Sequence, residues 1–182
     1  MKELSLNILD IAENSVKAKA PLTQIILTES EDLLTIEIID NGCGMTSDIV
    51  KKVIDPFYTT RTTRKVGLGI PFFKMEAEQT GGTFEIESKA ESEFPNDHGT
   101  KIKATFHKDH IDFIPLGDVV STVTTLIQGH PDSDFLFRHV TPKGEVFLDT
   151  REIKNELGGV SLAEYEVIKW IEEYIKEQYQ SI

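Results

Sequence analysis

Asp10, Asn14 and Lys17 stand at i, i+4 and i+7 of an apolar-periodic segment, so they share one stripe of a helix within about two turns. An Asn amide oxygen is a hard ligand that suits Mg²⁺, a cation that keeps several waters and fills its shell with phosphate oxygens. Lys17 can reach a phosphate as a point charge, and the Asp10 carboxylate can accept a proton from water or a hydroxyl. Downstream, Asp40-Asn-Gly42-Cys-Gly44 closes an alternating apolar segment. A carboxylate there can accept a hydrogen bond from a purine amino group. Its glycines let the backbone approach the ring, and Met45 can pack on it. Gly67-Leu68-Gly69 precedes a helical pattern, where free backbone amides hold anions. Arg61, Arg64 and Lys65 supply positive charge just before it. Each motif also has a plainer reading: a solvated helix face, a turn, a glycine-rich helix start.

The spacing predicts the elements that position these groups. Residues 4–19 read as a helix with Leu4, Ile8, Ile11, Ala12 and Val16 inward, and Asn7, Asp10, Asn14 and Lys17 on the opposite face. Pro21 ends it. Thr23–Glu29 and Leu33–Asp40 read as strands, the second burying Leu34, Ile36 and Ile38. A short helix runs from Thr46 or Ser47 to Ile54. Residues 58–68 form a loop. A helix spans Ile70–Gln79, and Thr83–Ser88 with Thr100–His107 make an antiparallel pair. A boundary near 108–117 precedes a helix over 118–128, strands over 134–140 and 145–149, and two helices begun by capping boxes at Asp149 and Ser161. Near the last of these, Tyr165, Ile168, Ile171, Tyr174 and Ile175, with Trp170 alongside, suit a core or dimer face.

Composition bounds the function. The 182 residues carry a formal net charge of −12, which argues against a nucleic-acid backbone as partner. A single Cys excludes a disulfide framework and fits a reducing compartment. Cys43 reads as a small space-filler. No apolar run reaches the ~18 residues of a membrane span, and the N-terminus lacks a signal-peptide shape, so a cytoplasmic protein is expected. His98, His107, His110, His130 and His139 read as surface or loop residues.

Taken together, Asn14 with Lys17, Asp40 with Gly42 and Gly44, Asp55-Pro-Phe57-Tyr58-Thr-Thr-Arg61, Gly67-Leu68-Gly69 and Gly99-Thr100 resemble, in order and spacing, the nucleotide-site boxes of the GHKL superfamily. That superfamily groups gyrase-type topoisomerases, histidine kinases and related ATPases. Residues 1–108 look most like a histidine-kinase-type ATP-binding domain. The fold this implies is α+β, a Bergerat-type α/β sandwich with a mixed, mostly antiparallel sheet, followed by a small α-β-β-α-α module over 109–182. The resemblance implies ATP and Mg²⁺ as ligands: Asn14 on the metal, Asp40 on adenine, Phe57 and Tyr58 supporting a lid, and Arg64 or Lys65 near the γ-phosphate. Thr100 would contact a phosphate or simply begin a strand. The lid segment departs from the family by being short and lacking a Gly-Thr-Gly stretch.

Asp10 also departs. Histidine kinases usually carry an amide four residues before the metal Asn, whereas hydrolytic members and anti-sigma serine kinases carry a Glu as general base. Only three residues precede the first helix, so a phospho-acceptor hairpin is not expected in this chain. The resemblance thus implies phosphotransfer in trans to a His or Ser/Thr of a partner protein, with a nucleotide-gated regulatory module or a slow ATPase as alternatives. A sensing region would lie on another polypeptide or in the C-terminal third, and a homodimer is possible.

Overall fold

The computed structural model describes residues 3–55, 57 and 68–182. The helix expected first is α1, Leu4–Lys17. Strands β1, Leu22–Glu29, and β2, Leu33–Asp40, follow, then a short α2, Ser47–Val53. Next come α3, Gly69–Gln79, β3, Phe84–Lys89, and β4, Gly99–His107. The rest comprises α4, Val119–Gly129, β5, Asp134–Thr141, β6, Gly144–Asp149, α5, Thr150–Leu157, and α6, Tyr165–Gln180.

The six strands of the described residues form one sheet in the order β3-β4-β2-β1-β5-β6. Every pairing is antiparallel except β1 with β5, which is parallel and runs from Leu22 opposite Asp134 to Thr28 opposite Val140. Helices α3, α1, α4 and α6 are successive neighbours. Alternation in the strands sends Ile25, Leu27, Leu34, Ile36, Ile38, Ile102, Ala104 and Phe106 into the core, where they meet Leu4, Ile8, Ile11 and Phe73 from the helices. Burying side chains of this size contributes about 1.5–3 kcal/mol each, so this face holds the layers together.

The connection after β4 returns to the start of α1. That helix has no side-chain cap; instead Leu4 and Ser5 donate their amides to the carbonyls of Pro115 and Leu116, at 3.0 and 2.8 Å. Thr122 of α4 adds a bond from its hydroxyl to the Ser5 carbonyl. At the far edge, Gln178 of α6 accepts from the Phe147 amide and donates to its carbonyl, so a side chain covers part of the free edge of β6.

Several expectations need correction. Asn7 does not lie on the solvent stripe: it is fully buried, because α3 packs across the start of α1 and brings the buried Glu76 to its amide nitrogen. His139 is not a surface residue but is 3% exposed on β5, bonded to the Tyr179 hydroxyl (2.7 Å) and to Glu29 (3.0 Å). Lys108 pairs with the other Glu29 oxygen at 2.9 Å. Cys43 fills no core space and is exposed. Asp149 caps α5 as its pattern predicts. Ser161, in contrast, accepts from Ala163 in a local turn, and α6 begins only at Tyr165. Within α6, Ile171 and Ile175 are buried, while Tyr165, Trp170 and Tyr174 stand exposed.

Candidate nucleotide site

Helix α1 and strand β2 meet at one end of the sheet, on its helix-covered face, through Ser15 and Asp40. Asp40 ends β2. Its register partners are Thr23 on β1 and Thr100 on β4, so these three side chains lie abreast on the same face. The carboxylate is held at both oxygens. Ser15 of α1 donates its hydroxyl to Oδ2 at 2.7 Å, and the Gly42 amide donates to Oδ1 at 2.9 Å. Ser15 is itself buried, so this charge-assisted bond is shielded from water. The group is therefore fixed in direction before any ligand arrives.

The glycines after Asp40 are required by close packing. Gly44 has φ +63°, and a Cβ there would stand 1.9 Å from the Lys89 carbonyl oxygen. Gly42 lies against Ala18, whose carbonyl accepts the Cys43 amide at 2.9 Å. Met45 is half-buried, with its amide bonded to the Ser88 hydroxyl at 2.8 Å. Ser88 also contacts the Thr100 hydroxyl at 2.8 Å, so Thr100 belongs to the Asp40 end of the site and opens the strand there. His98 closes this corner by contacting the Gly42 carbonyl through Nδ1. Thr23 is buried, and among the described residues its hydroxyl oxygen has no partner.

Along α1, Asp10 and Lys17 are exposed and Asn14 is half-buried. Among the described residues none of these three side chains forms a hydrogen bond or ion pair, whereas Glu13 beside them contacts His130 at 2.8 Å. Asp10 faces the start of α3. A Cβ on Gly69 would lie 3.0 Å from the Asp10 Cβ, so a glycine here lets the two helices approach. Helix α3 follows Leu68 with no side-chain cap, so among the described residues its first-turn amides have no such partner, and Pro71 in that turn needs none. The structure thus brings Asp10 to Gly69, and Ser15 to Asp40, from one helix.

The Phe57 side chain is 92% exposed, and its amide is tied to Asp55 at 2.9 Å. Pro56, Tyr58, Arg61, Arg64, Lys65 and Gly67 lie outside the described residues. Reading the sequence missed Ser15, Ser88 and Thr23. Small hydroxyl residues carry no spacing signal, and only the strand register and the helix crossing reveal them.

Comparison with known proteins identifies the family. The family described as histidine kinase-, DNA gyrase B-, and HSP90-like ATPase matches residues 2–110. The signal transduction histidine-protein kinase AtoS of Escherichia coli is 36% identical over 70 residues, covering 38% of this chain and 11% of that protein. The sensor protein RprX of Bacteroides fragilis is 32% identical over 91 residues, covering 45% of this chain and 18% of the relative. The chain therefore spans less than a fifth of the length of these curated relatives. Among solved structures, the MutL ATPase domain of Aquifex aeolicus complexed with ADP superposes with a TM-score of 0.56 at 14% identity. It covers 87% of this chain and 70% of that one, a likeness of fold. With a family match over more than half its length and the sheet-and-helix layout of a GHKL ATPase, the chain belongs to the histidine kinase-, DNA gyrase B- and HSP90-like ATPase family.

Proposed function

We propose that this protein binds ATP with Mg²⁺ and passes the γ-phosphate to a partner protein in trans. The observation that carries the reading is the doubly held carboxylate of Asp40, aimed by Ser15 and Gly42 at the end of the sheet, with Asn14 next to Ser15 on α1 and without a side-chain partner among the described residues. In this reading the nucleotide lies within residues 1–108, and residues 109–182 are a small supporting module.

Asp40 accepts from the adenine amino group, with Thr100 and Ser88 beside it and Met45 against the ring. The triphosphate runs along α1 to the amides that open α3, with Lys17 as a further cation. By the resemblance, Gly67, Arg64 and Lys65, which lie outside the described residues, would serve the phosphates, and Phe57 would support the lid. The donor set fits the metal: Asn14 offers one hard amide oxygen that no described side chain occupies. Among the described residues no group of three His, Cys, Asp or Glu side chains stands close enough to hold an ion unaided. Asn14 would hold a magnesium ion through its amide oxygen, and the ion when bound would supply neutralisation of charge on the phosphates.

Asp10 is the base. A hydroxyl of the partner forms a bond to Pγ as the Pγ–O bond to ADP breaks, and the hydroxyl proton passes to the Asp10 carboxylate. A carboxylate rather than an amide at this position favours a Ser or Thr acceptor over a His. The known relatives include sensor kinases, which supports a kinase activity and a phospho-acceptor protein, with self-association of the chain compatible with it. No described helix is long and apolar enough to cross a membrane, and the reading places the protein in the cytoplasm.

A second reading has its own observation. Glu13, adjacent to Asn14, contacts His130 at the end of α4, so the nucleotide helix is tied to the C-terminal elements. That link favours a nucleotide-gated regulatory module in which transfer is slow or absent. Calorimetric titration with Mg-ADP tests what both share. Micromolar-range binding is expected, with loss of measurable affinity in Asp40→Asn; unchanged affinity in that variant overturns the site. Incubation with γ-labelled ATP then separates the readings. Label on a partner supports transfer, retained ATP supports gating, and free phosphate points to hydrolysis.

A further inference from the structure

We propose that the cleft between α5, β6 and α6 is a docking site for a basic amphipathic helix of a partner protein. The cleft has a volume of about 480 Å³ and lies among elements that the nucleotide reading does not use. Its floor is apolar, with Leu148 and Ile153 buried beneath it. One wall is aromatic. Trp170 and Tyr174, one turn apart on α6, stack with ring centroids 5.2 Å apart and planes 11° from parallel. Trp170 remains 50% exposed and Tyr174 39% exposed. Large rings held flat against each other yet open to water resemble the anchors that dominate protein interfaces, since they offer area at little cost in side-chain entropy.

The opposite wall sets the sign of the occupant. Glu152 and Glu156 stand at i and i+4 on α5, both line the cleft, and neither forms an ion pair among the described residues. Asp149 is already matched by Arg151, at 2.6 Å. Residues 109–182 carry 6 basic and 14 acidic groups, so the surrounding field reinforces the two glutamates. An apolar floor with an aromatic wall and an acidic wall fits a helix that presents a row of leucine-like side chains flanked by lysines or arginines. A second copy of the chain is a poor match: its own α6 holds four glutamates against two lysines. The inference stands apart from the nucleotide reading, because none of these residues belongs to that site.

Trp170 is the single tryptophan, so its emission reports on the cleft directly. The test titrates the full chain, without nucleotide, with a synthetic helical peptide bearing Leu at i, i+3, i+4 and i+7 and Lys on the flanking positions. A saturable blue shift of Trp170 emission is expected. Glu152→Gln/Glu156→Gln should weaken binding about tenfold, while Glu31→Gln/Glu91→Gln, an equal change of charge elsewhere, should leave it unaltered. Tyr174→Ala, at a partly exposed position, should weaken it as well, followed by calorimetry with an unchanged unfolding transition. The proposal is overturned by the absence of saturable binding, by equal weakening in both double variants, or by equal affinity for a peptide with Glu in place of Lys. A concentration-dependent dimer that Trp170→Ala dissolves would also overturn it, by making a second copy the occupant.

Discussion

The hydroxyl of Ser15 donates to Asp40 Oδ2 at 2.7 Å, which couples a buried helix residue to the carboxylate at the end of β2. Because Ser15 follows Asn14 directly, one helix carries the amide proposed for the metal and the group that aims the carboxylate proposed to read adenine. A hydrogen bond to a charged group contributes about 1.5–3 kcal/mol. Ser15→Ala is therefore expected to weaken Mg-ADP binding by about tenfold, the fold-change that ~1.4 kcal/mol represents. Calorimetric titration of the variant checks this, and Ser15→Thr, which keeps the hydroxyl, should recover much of the loss.

Asp10 has a carboxylate with no described partner, set against Gly69 at the start of α3. Replacing it by Asn preserves size and removes the proton acceptor. Transfer from γ-labelled ATP to a hydroxyl of the partner should fall by about 10²-fold or more, while Mg-ADP affinity stays within a few-fold. Transfer at the parental rate would remove Asp10 from the chemistry and leave the binding site untouched.

Gly44 combines φ +63° with a backbone carbonyl 1.9 Å from where a Cβ would sit. Left-handed backbone at a non-glycine residue costs about 1–3 kcal/mol, and here the Lys89 backbone must move as well. Gly44→Ala is expected to lower stability by roughly 3 kcal/mol, or about 6–12 °C in melting temperature for a chain of this size. Thermal unfolding followed by circular dichroism measures it. Gly129→Ala, where a Cβ meets nothing within 4 Å, is the control and should stay within about 1 °C.

The His139 imidazole is held below its ordinary pKa of 6.5, first by burial, against the opposing pull of Glu29. A depressed histidine pKa means that the unfolded chain takes up the proton first. Stability should therefore be flat above about pH 6.5 and decline as the pH falls below it, until the folded imidazole also protonates. Burial likewise pushes the Tyr179 hydroxyl up, so it remains a neutral partner for the ring throughout this range. Melts between about pH 7.5 and 5 should show a steeper loss for the parent than for His139→Gln, whose side chain does not titrate.

The parts of the fold governed by local pattern were readable from residue order. Alternation at Leu34, Ile36 and Ile38 gave β2, and the apolar period from Leu4 to Val16 gave α1, because side-chain direction follows backbone period. The polar stripe of Asp10, Asn14 and Lys17 and the Asp40 turn were legible for the same reason. What escaped depends on contacts between distant segments. Asn7 has the period of an exposed residue, and only the crossing of α3 buries it. His139 sits in a strand whose parallel pairing with β1 joins segments more than a hundred residues apart, and no local rule announces it. Ser161 and Glu164 have the letters of a capping box, yet the local Ser161 turn delays the helix.

Strand β5 lies along the whole of β1, and the carbonyls of Pro115 and Leu116 close the first turn of α1. A fragment severed after residue 108 would therefore expose a raw row of hydrogen-bonding groups along one flank and an open helix end beside it. Such a flank recruits stray strands from neighbouring molecules, so the excised piece would precipitate where the intact polypeptide remains dispersed.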